Sequence, residues 1–598
     1  MGLLAFSSCD DMFEPAKENT RQLEQLVQES DQIYGLLIYA YNRLPYMTTT
    51  TTDVATDDAV TNVSDNTYKK MATGEWRSDN NPMSQWDACK DGIQYVNLFL
   101  KYVDKVKWAP SAASKQQMFI DRLTGEAIGL RAIFYYHLLQ AHAGYAEDGV
   151  LYGVPLLTEP EDGSSDFNQP RAPFADCVKQ IFADCDQAAK LLPAQYKDIA
   201  NEEDIPQKYL DLGAQLTGYN LVFGNMARNL VSGKVAQAIK AQTALLAASP
   251  AYRDQSGVTS AEAAKICADV LKDVEFDPEG NIWYKNETKL ASSTSVIPEI
   301  LWRADWEKAG SSQEMDNFPP SVNGSGKVNP SQNLVDAFPM ANGYPISDAR
   351  SGFDEENPYA NRDPRLSDDV VYDCGKLKGS YIVTGTYDGE KYNKDYKKDQ
   401  INSTTIGATI TGYYMKKLLR EDAGASSGSS SASNMPHIYP RIRYTELFLA
   451  YAEAANDAWG PKVDGAGLGL SAYDVIKLIR QRAGVGVDNG DPYLEECAGD
   501  QVKMRDLIRN ERRIELCFEN KRFWDMRRWM LPLDDMVKGI QITAREEVEN
   551  PETGVKETHL TYNFLNVEQR LYESYQNYGP IPLSEVLNWS ALKQNKGW

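Results

Sequence analysis

The sequence is poor in the residues that bind metals or carry redox chemistry. Its 598 residues include four histidines and eight cysteines. His137 and His142 are five residues apart, so they face different sides of a helix and do not form the i, i+4 pair that chelates zinc. His437 and His559 lack a nearby cysteine or acidic cluster, and no cysteines form a C-x-x-C pair. We therefore expect no metal centre and no thioredoxin-like site.

Motifs for nucleophilic catalysis and phosphate binding are also missing. There is no G-x-S-x-G and no H-E-x-x-H. The run Gly324-Ser325-Gly326-Lys327 lacks the first glycine and the final hydroxyl residue of a phosphate-binding loop. With 85 acidic residues, chance pairs of carboxylates are inevitable, so only geometry separates a secreted glycosidase from a non-catalytic protein. We predict that the chain is not an enzyme.

Basic charge is in deficit, which excludes several partners. Lys and Arg number 62 against 85 Asp and Glu, giving a net charge of −23 and a pI near 4.8. Such a surface repels phosphate backbones and anionic lipid headgroups, so nucleic acid is not an expected partner. No interior run approaches the ~20 apolar residues that cross a bilayer.

The first nine residues are an exception to this polar pattern. Met1-Gly2-Leu3-Leu4-Ala5-Phe6-Ser7-Ser8-Cys9 is a short apolar run, then small residues, then cysteine. The run is typical of the end of a secretion signal, and small residues before a cysteine resemble a bacterial lipoprotein cleavage site. We interpret residues 1–20 as a signal remnant and tether, with Cys9 as the lipidated residue. The alternative is a free cysteine in a disordered end.

Helical periodicity dominates the first half of the chain. Apolar residues recur at steps of three and four along 86–103 and along 123–138, and further stripes cover about 21–44, 174–192, 234–248 and 260–272. Turns near 104–114 and 249–260 separate paired helices, as in tetratricopeptide-like units. Helices return near residue 440, including one predicted over 502–530 and ended by Pro532.

Two stretches lack this periodicity. Residues 43–82 and about 280–435 are rich in Gly, Pro, Asn, Ser, Thr and Tyr, with short β-prone runs and a low-complexity loop at 424–433. Loops carried on a rigid frame are common positions for binding residues. The sequence predicts a mostly α-helical scaffold that carries a loop-rich region with a few short strands.

Residues 510–529 contain the strongest local signal. Glu511 shares a helical stripe with Leu507, Ile514 and Phe518, so its carboxylate lies on an apolar face. An unpaired buried carboxylate costs several kcal/mol, so Glu511 needs a cationic partner, for which Arg443 in the predicted 441–456 helix is a candidate. We interpret Glu511 as a structural ion-pair residue; a catalytic carboxylate is the alternative.

Several segments, in this order along the chain, resemble those of one known family. They are Cys9-Asp10-Asp11 with Pro15, residues 131–139 with 153–156, residues 441–456 with 479–484, and residues 510–529 with 581–598. This ordered set is similar to the SusD-like (SusD/RagB) lipoproteins of Bacteroidetes outer membranes. The sequence departs from the family pattern in its truncated signal and in Lys596, where proline is more usual.

The resemblance implies a fold, a location and a partner. It implies one SusD-like unit over 21–598, with a tetratricopeptide-like helical scaffold at about 21–45, 84–275, 436–540 and 580–598. The loop-rich ligand-binding face would cover about 46–83 and 276–435. It further implies a surface-exposed outer-membrane lipoprotein that binds a glycan and delivers it to a SusC-like TonB-dependent transporter. Some relatives handle peptides, so a peptide-binding member is the alternative, ahead of a secreted glycosidase.

Sugar binding needs aromatic platforms and planar polar groups. From the regions that form the family's ligand site, the nearest matches are Trp76, Asn80, Tyr284 and Trp306, with Arg77 and Asp58 as weaker candidates for hydroxyl contacts. No cofactor is expected. A structural Ca²⁺ remains open, because acidic loops such as residues 161–166 offer oxygen ligands, although such loops are more often solvated turns.

Overall fold

The computed structural model describes residues 29–46, 52–290, 292, 294–304, 313–423, 437–549 and 556–598. Helix accounts for 44% of the chain and strand for 10%, so the predicted mostly helical class is confirmed. Cys9 and the predicted tether at 1–20 lie outside the described residues.

Among the described residues, eleven helices have seven or more residues. They are α1 (Ser30–Tyr41), α2 (Trp86–Leu100), α3 (Ala113–His142), α4 (Phe174–Leu191), α5 (Leu216–Phe223), α6 (Gly233–Ala248), α7 (Ser260–Leu271), α8 (Tyr444–Trp459), α9 (Ala472–Arg482), α10 (Gln501–Glu515) and α11 (Arg522–Arg528). Shorter helices are Thr67–Lys70, Gln207–Leu210, Arg253–Ser256, Glu287–Leu290, Gln313–Asn317, Gln332–Ala337, Pro364–Asp369, Pro492–Cys497 and Leu583–Asn588.

Consecutive helices pack on each other to form the scaffold: α1 on α2, α3 on α4, α6 on α7 and α8 on α9. Small residues permit the close approaches. A Cβ on Gly92 of α2 would lie 2.4 Å from the ring of Phe134 on α3. Sequence-local signals fix the helix starts, since the Asp500 carboxylate accepts hydrogen bonds from the first turn of α10 and Ser471 and Asp474 form a capping box on α9.

The strands form six two-stranded antiparallel sheets within the described ranges. They are β1 (Ala59–Thr61), β2 (Gly144–Tyr145), β3 (Leu151–Tyr152), β4 (Ile300–Arg303), β5 (Val328–Pro330), β6 (Val370–Val371), β7 (Gly375–Leu377), β8 (Ser380–Ile382), β9 (Tyr414–Met415), β10 (Pro440–Arg443), β11 (Met536–Glu549) and β12 (Lys556–Gln569). The pairs are β1–β5, β2–β3, β4–β10, β6–β9, β7–β8 and β11–β12.

The β11–β12 hairpin was not predicted, and its start overlaps the helical range expected at 436–540. Ile540 and Ile542 are 2% and 1% exposed and join the hydrophobic core of the loop-rich region. The β11 backbone also pairs with loops there, since Ile540 N donates to Thr411 O and Thr386 N to Ile542 O, both at 2.7 Å. Ile540 and Ile542 are two positions apart, which is the spacing of residues on one face of a strand. Only these two repeats of the pattern are clear in the sequence.

The prediction of one continuous helix over 502–530 is wrong. This stretch consists of α10 and α11, separated by a turn at 516–521. Phe518 and Asn520 in this turn have φ of 61° and 59°, the left-handed region that non-glycine residues rarely adopt. The Asn520 side chain accepts hydrogen bonds from Thr52 N at 3.0 Å and Thr52 Oγ1 at 2.9 Å, which hold the turn against the loop-rich region.

Arg443 is also placed differently from the prediction. It is the last residue of β10 and the N-cap of α8, not a residue inside a helix. Glu511 is fully buried and pairs with Arg365 at 2.9 Å and with Arg480 at 2.7 Å, so the structural ion-pair interpretation is confirmed with partners other than Arg443.

Candidate ligand-binding site

A pocket of about 410 Å³ lies between the helical scaffold and the loop-rich region. This volume falls within the ~300–1,000 Å³ of small-molecule sites. The scaffold lines it with α3, α6, β10, the start of α8, the 516–521 turn, α11 and the segments near residues 45 and 438, and the loop-rich region with the segments near residues 68, 284 and 418. We call it the aromatic pocket because of the rings that line it, which include Tyr46, Tyr68, Tyr439 and Trp524.

These four aromatic side chains are partly exposed within the aromatic pocket. The Trp524 ring packs edge-on against Phe523, with centroids 5.0 Å apart. Tyr439 is stacked with His437 at 6.0 Å. Such packing fixes each ring while leaving part of its surface open, which suits the apolar C–H faces of a sugar.

Four residues that line the aromatic pocket have a buried polar atom without a hydrogen-bond partner among the described residues. They are Tyr46 Oη, His137 Nε2, Gln242 Oε1 and Trp283 Nε1. Buried polar atoms are normally paired, so these four are suited to a ligand with several hydroxyl groups. Burial lowers the pKa of His137 to about 3, so its imidazole is neutral and provides one donor and one acceptor.

A buried ion-pair network lies behind this pocket. Arg443 donates to Glu299 at 2.7 Å and to Glu519 at 2.8 Å, and contacts the Glu515 carboxylate at 3.3 Å. Although burial raises the pKa of Glu515, the charges of Arg482, Arg443 and other basic groups outweigh it and lower the pKa to about 2. Glu515 is therefore ionised over the whole physiological pH range.

The network continues towards the loop-rich region. Arg365 donates to Asp363 at 2.7 Å, to Glu511 at 2.9 Å and to Glu515 at 3.1 Å, and its side chain is 3% exposed. Lys417 contacts Glu519 at 3.0 Å. Basic groups from four parts of the chain thus share the carboxylates of α10 and the turn that follows it: Arg365, Lys417, Arg443 and Arg482.

Trp76 does not offer the sugar platform predicted for it. Its side chain is 4% exposed and does not line the aromatic pocket. The ring contacts Phe523 and Trp598, with centroids 5.8 and 5.0 Å away, and the Arg527 guanidinium lies 5.0 Å from its centroid. Its indole N–H already donates to Asn81 Oδ1 at 2.9 Å. Burial therefore removes Trp76 from the candidate residues.

Arg77 and Asn80 lie in an exposed turn outside the aromatic pocket. Their backbones form a bridge, the Asn80 amide donates to Glu75 O at 3.0 Å, and Arg77 pairs with Asp79 at 3.0 Å. These polar groups stabilise the local turn, so the structure does not bring the two residues together with the pocket.

Tyr284 is the predicted residue that the structure places at the aromatic pocket. It is 5% exposed, and its hydroxyl donates to Asp369 Oδ1 at 2.8 Å, so it forms part of the wall. Asp58 is fully buried and binds Arg513 Nε at 2.7 Å, which makes it a structural residue. Trp306 lies outside the described residues, so its predicted role stays a prediction.

Sequence reasoning missed Tyr46, Tyr439 and Trp524 as candidate ligand residues. Trp524 falls in the 510–529 segment, which a continuous helix would have placed in the scaffold alone. Tyr439 follows the low-complexity loop at 424–433, and a position beside a loop could have indicated a candidate binding residue. The His137 ring packs against Tyr46, with centroids 4.9 Å apart.

Asp53 makes stability depend on pH. It is buried next to the pocket-lining Thr52 and Asn520, and burial followed by the charge of Asp58 raises its pKa to about 7. The folded chain then binds more protons than the unfolded chain between about pH 4 and 7, so this contribution to stability is present at low pH and is lost as pH rises through 7. Asp53→Asn should remain uncharged at every pH.

We expect the free energy of unfolding of Asp53→Asn, relative to that of the wild type, to increase by on the order of 2 kcal/mol when the pH is raised from about 5 to about 8. Urea unfolding of both chains at each pH measures this difference. A stability difference that does not change with pH would show that Asp53 is already ionised in the folded protein.

The described residues contain no group of three or more His, Cys, Asp or Glu side chains arranged to hold a metal ion. In the acidic loop at 161–166, Asp162 Oδ1 accepts hydrogen bonds from Ser164 N at 2.9 Å and Ser164 Oγ at 2.6 Å, so it caps its own turn. Across the same described part of the chain, each helix is too short or too polar to span a bilayer.

A helical scaffold, a loop-rich region and a pocket between them define the class of fold. A family model described as the SusD family matches residues 298–598, and a second, described as starch-binding associating with outer membrane, matches residues 14–203. The chain belongs to the SusD family, as its sequence resemblance indicated.

Solved structures show the same fold along nearly the whole chain. A SusD-like protein of Bacteroides fragilis has a TM-score of 0.69 and 21% identity, covering 98% of this chain and 100% of that one. A SusD-like carbohydrate-binding protein of the same species has a TM-score of 0.65 and 20% identity, covering 95% and 99%. A laminarin-binding SusD-like protein has a TM-score of 0.54 and 17% identity, covering 96% and 100%.

A curated relative is similar over a shorter stretch. A SusD-like protein of Formosa agariphila is 33% identical over 109 residues, which are 18% of this chain and 19% of that protein. The match thus spans about a fifth of the relative's length.

Proposed function

We propose that this chain is a cell-surface lipoprotein that binds a glycan in the aromatic pocket and delivers it to a SusC-like TonB-dependent transporter. Cys9 would carry the lipid that anchors it to the outer membrane. The observation that carries the proposal is the pairing, in one pocket, of partly exposed rings with polar atoms that have no partner among the described residues.

The pocket chemistry matches both faces of a sugar. Pyranose rings present flat C–H surfaces, which pack on aromatic rings such as Trp524 and Tyr439. Their hydroxyl groups need donors and acceptors at fixed positions, as offered by Tyr46 Oη, His137 Nε2 and Gln242 Oε1. Because His137 stays neutral, these contacts do not depend on pH in the physiological range.

Related proteins support the same class of ligand. The fold neighbours include proteins described as carbohydrate-binding and laminarin-binding, and one described as surface glycan-binding protein A from Bacteroides fluxus. The outer-membrane association in the description of the family model at residues 14–203 supports the proposed location.

Two of the three carboxylates that line the pocket do not suit the role of general acid in glycoside hydrolysis. A general acid must be protonated near the working pH. Burial alone raises the pKa of Glu519, but the charges of Arg443 and Lys417 outweigh it and lower the pKa. The pKa of Asp525 is lowered in the same way by Arg512 and Arg528. This supports a binding protein over an enzyme.

Calorimetry of the soluble chain, lacking the lipidated cysteine, against plant, fungal and host glycans and a peptide mixture tests the ligand class. We expect saturable glycan binding, with the recovered glycan uncleaved. Binding to peptides alone would indicate the peptide-binding alternative, and glycan cleavage would indicate a glycosidase. Purification of the tagged protein from detergent-solubilised outer membranes tests delivery. A TonB-dependent barrel should co-purify in equal amount, and its absence would overturn the transporter partnership.

A further inference from the structure

The charged groups at the aromatic pocket neutralise one another. Among the described residues that line it are five arginine or lysine side chains and three carboxylates. The lining arginines also bind carboxylates that lie behind the wall, which are those of Glu299, Glu453 and Glu515. The charge that a ligand meets therefore depends on whether any basic side chain lacks a partner.

Three of the lining arginines are held by lining carboxylates. Arg443 Nε donates to Glu519 at 2.8 Å. Arg512 Nε and Arg528 Nε both donate to Asp525, each at 2.8 Å. None of these five side chains is more than 11% exposed. Buried pairs of this kind leave little charge available for a ligand.

Lys521 is held by the third lining carboxylate, that of Glu446. Its Nζ lies 2.9 Å from both oxygens of this carboxylate, and Gln242 Nε2 donates to one of them at 3.1 Å. The Lys521 side chain is 26% exposed, whereas that of Glu446 is 6% exposed. Glu446 thus takes the position of counter-ion that an acidic group of a ligand would otherwise occupy.

Arg441, the remaining basic residue of the wall, is also engaged. Its guanidinium lies 4.6 Å from the centroid of the Trp302 ring and 5.8 Å from that of the Tyr46 ring. Such cation–ring contacts hold the side chain against the wall. Each basic side chain that lines the pocket therefore has an interaction within the protein.

The four pocket-lining residues with an unpartnered polar atom among the described residues carry no charge. They are Tyr46, Gln242, Trp283 and His137, whose imidazole is neutral. These groups form hydrogen bonds with hydroxyl groups but supply no counter-ion. Taking an oxyanion out of water without a counter-ion costs several kcal/mol.

Resting on the proposed glycan-binding function, we infer that the aromatic pocket selects uncharged glycans, and that Glu446 is the residue that sets this selectivity. An uncharged sugar packs on the aromatic rings and bonds to the neutral polar atoms. A sugar with a carboxylate or a sulfate ester enters without a counter-ion, because Glu446 already occupies Lys521.

Matched pairs of glycans separate charge from shape. A β-glucan is compared with its C6-carboxylated form, fully methyl-esterified homogalacturonan with the free acid, and a desulfated galactan with its sulfated form. Every unit of the free acid carries a carboxylate, so whichever unit enters the pocket brings a charge. Calorimetry with the wild-type chain measures each affinity. In every pair that binds, we expect the neutral member to bind at least about tenfold tighter.

Glu446→Gln keeps the side-chain shape and an acceptor for Gln242 but releases Lys521. It is expected to raise the ratio of acidic to neutral affinity about tenfold, because a sugar carboxylate then pairs with the ammonium. Neutral affinity should stay within about twofold of the wild type, which verifies that the pocket is folded. Glu446→Asp retains the charge and should retain the wild-type ratio.

Glu495→Gln is the matched control. Glu495 also pairs with a lysine, Lys462 at 3.5 Å, but neither residue lines the pocket. Its release of Lys462 should leave the ratio of acidic to neutral affinity unchanged. A ratio that rises equally in this variant would show that the overall charge of the chain, not the pocket, sets the preference.

An acidic member that binds as tightly as its neutral partner, or tighter, would overturn the selectivity and leave the proposed function standing. An unchanged ratio in Glu446→Gln, with neutral binding intact, would overturn the role of Glu446. The absence of all glycan binding would overturn the proposed function together with the inference.

Discussion

Replacing Arg443 with methionine is expected to destabilise the folded chain by about 3–5 kcal/mol. The Arg443 side chain is 3% exposed and binds carboxylates of Glu299, Glu515 and Glu519. Methionine fills much of the volume but leaves these carboxylates close together without their shared cation. Their mutual repulsion and desolvation, not the loss of packing, cause the effect.

Guanidinium unfolding of the variant measures this change. Arg505→Met is the control, because Arg505 is 37% exposed and pairs with the neighbouring Asp506 at 3.0 Å on the surface of α10. We expect the control to change stability by less than about 1 kcal/mol. A loss below about 1 kcal/mol for Arg443→Met would mean that the neighbouring basic groups compensate for Arg443.

Trp524→Ala is expected to weaken glycan binding by about 2 kcal/mol, close to 30-fold. The indole is partly exposed in the aromatic pocket and is held edge-on against Phe523 at 5.0 Å. Alanine removes this surface without touching the ion pairs behind the pocket. Trp524→Phe retains part of the ring and should fall between alanine and wild type.

Calorimetry with any glycan that the wild-type chain binds measures the effect. The matched control is Trp589→Ala, because Trp589 is also partly exposed but contacts Phe167, with centroids 6.1 Å apart, outside the aromatic pocket. Its glycan affinity should match the wild type. Unchanged affinity in Trp524→Ala would show that the sugar does not pack on this wall.

The helical scaffold was predictable because its signals are local. The apolar stripe of α2 repeats every three to four residues, and its buried residues Cys89, Ile93 and Val96 lie on that stripe. The stripe of α3 predicts the helix equally well, although α3 is buried on all sides over residues 125–136. The loop-rich region is different. Its core joins residues such as Val54, Leu334 and Ile540, which are hundreds of positions apart, so no local pattern indicates which of its side chains are buried.

The same lack of local signal explains why Trp76 was predicted as a binding residue. Trp76 has the local environment of an exposed loop tryptophan, with polar neighbours on both sides. Its burial depends on Phe523, Arg527 and Trp598, which lie more than 400 positions away. Tyr284 was found because the family resemblance directed attention to its region, although the structure makes it a wall residue.

The turn at 516–521 was not predictable from helical propensity. Residues on both sides of it are good helix formers, and a left-handed Phe518 is unfavourable in isolation. Contacts with the distant Thr52 and Asp53 hold the turn, since Asn520 N also donates to the Asp53 carboxylate at 3.3 Å. These tertiary contacts end α10 and turn α11 so that Trp524 reaches the aromatic pocket.

The ion-pair network has a further consequence for how the chain comes apart. Its cations come from the scaffold at Arg482 and Arg443 and from the loop-rich region at Arg365 and Lys417, yet they share Glu515 and Glu519. Separating the two regions would break these ion pairs and leave charged side chains without their partners in each region. Separating the scaffold from the loop-rich region therefore costs much free energy, and heating is expected to unfold both in one cooperative transition.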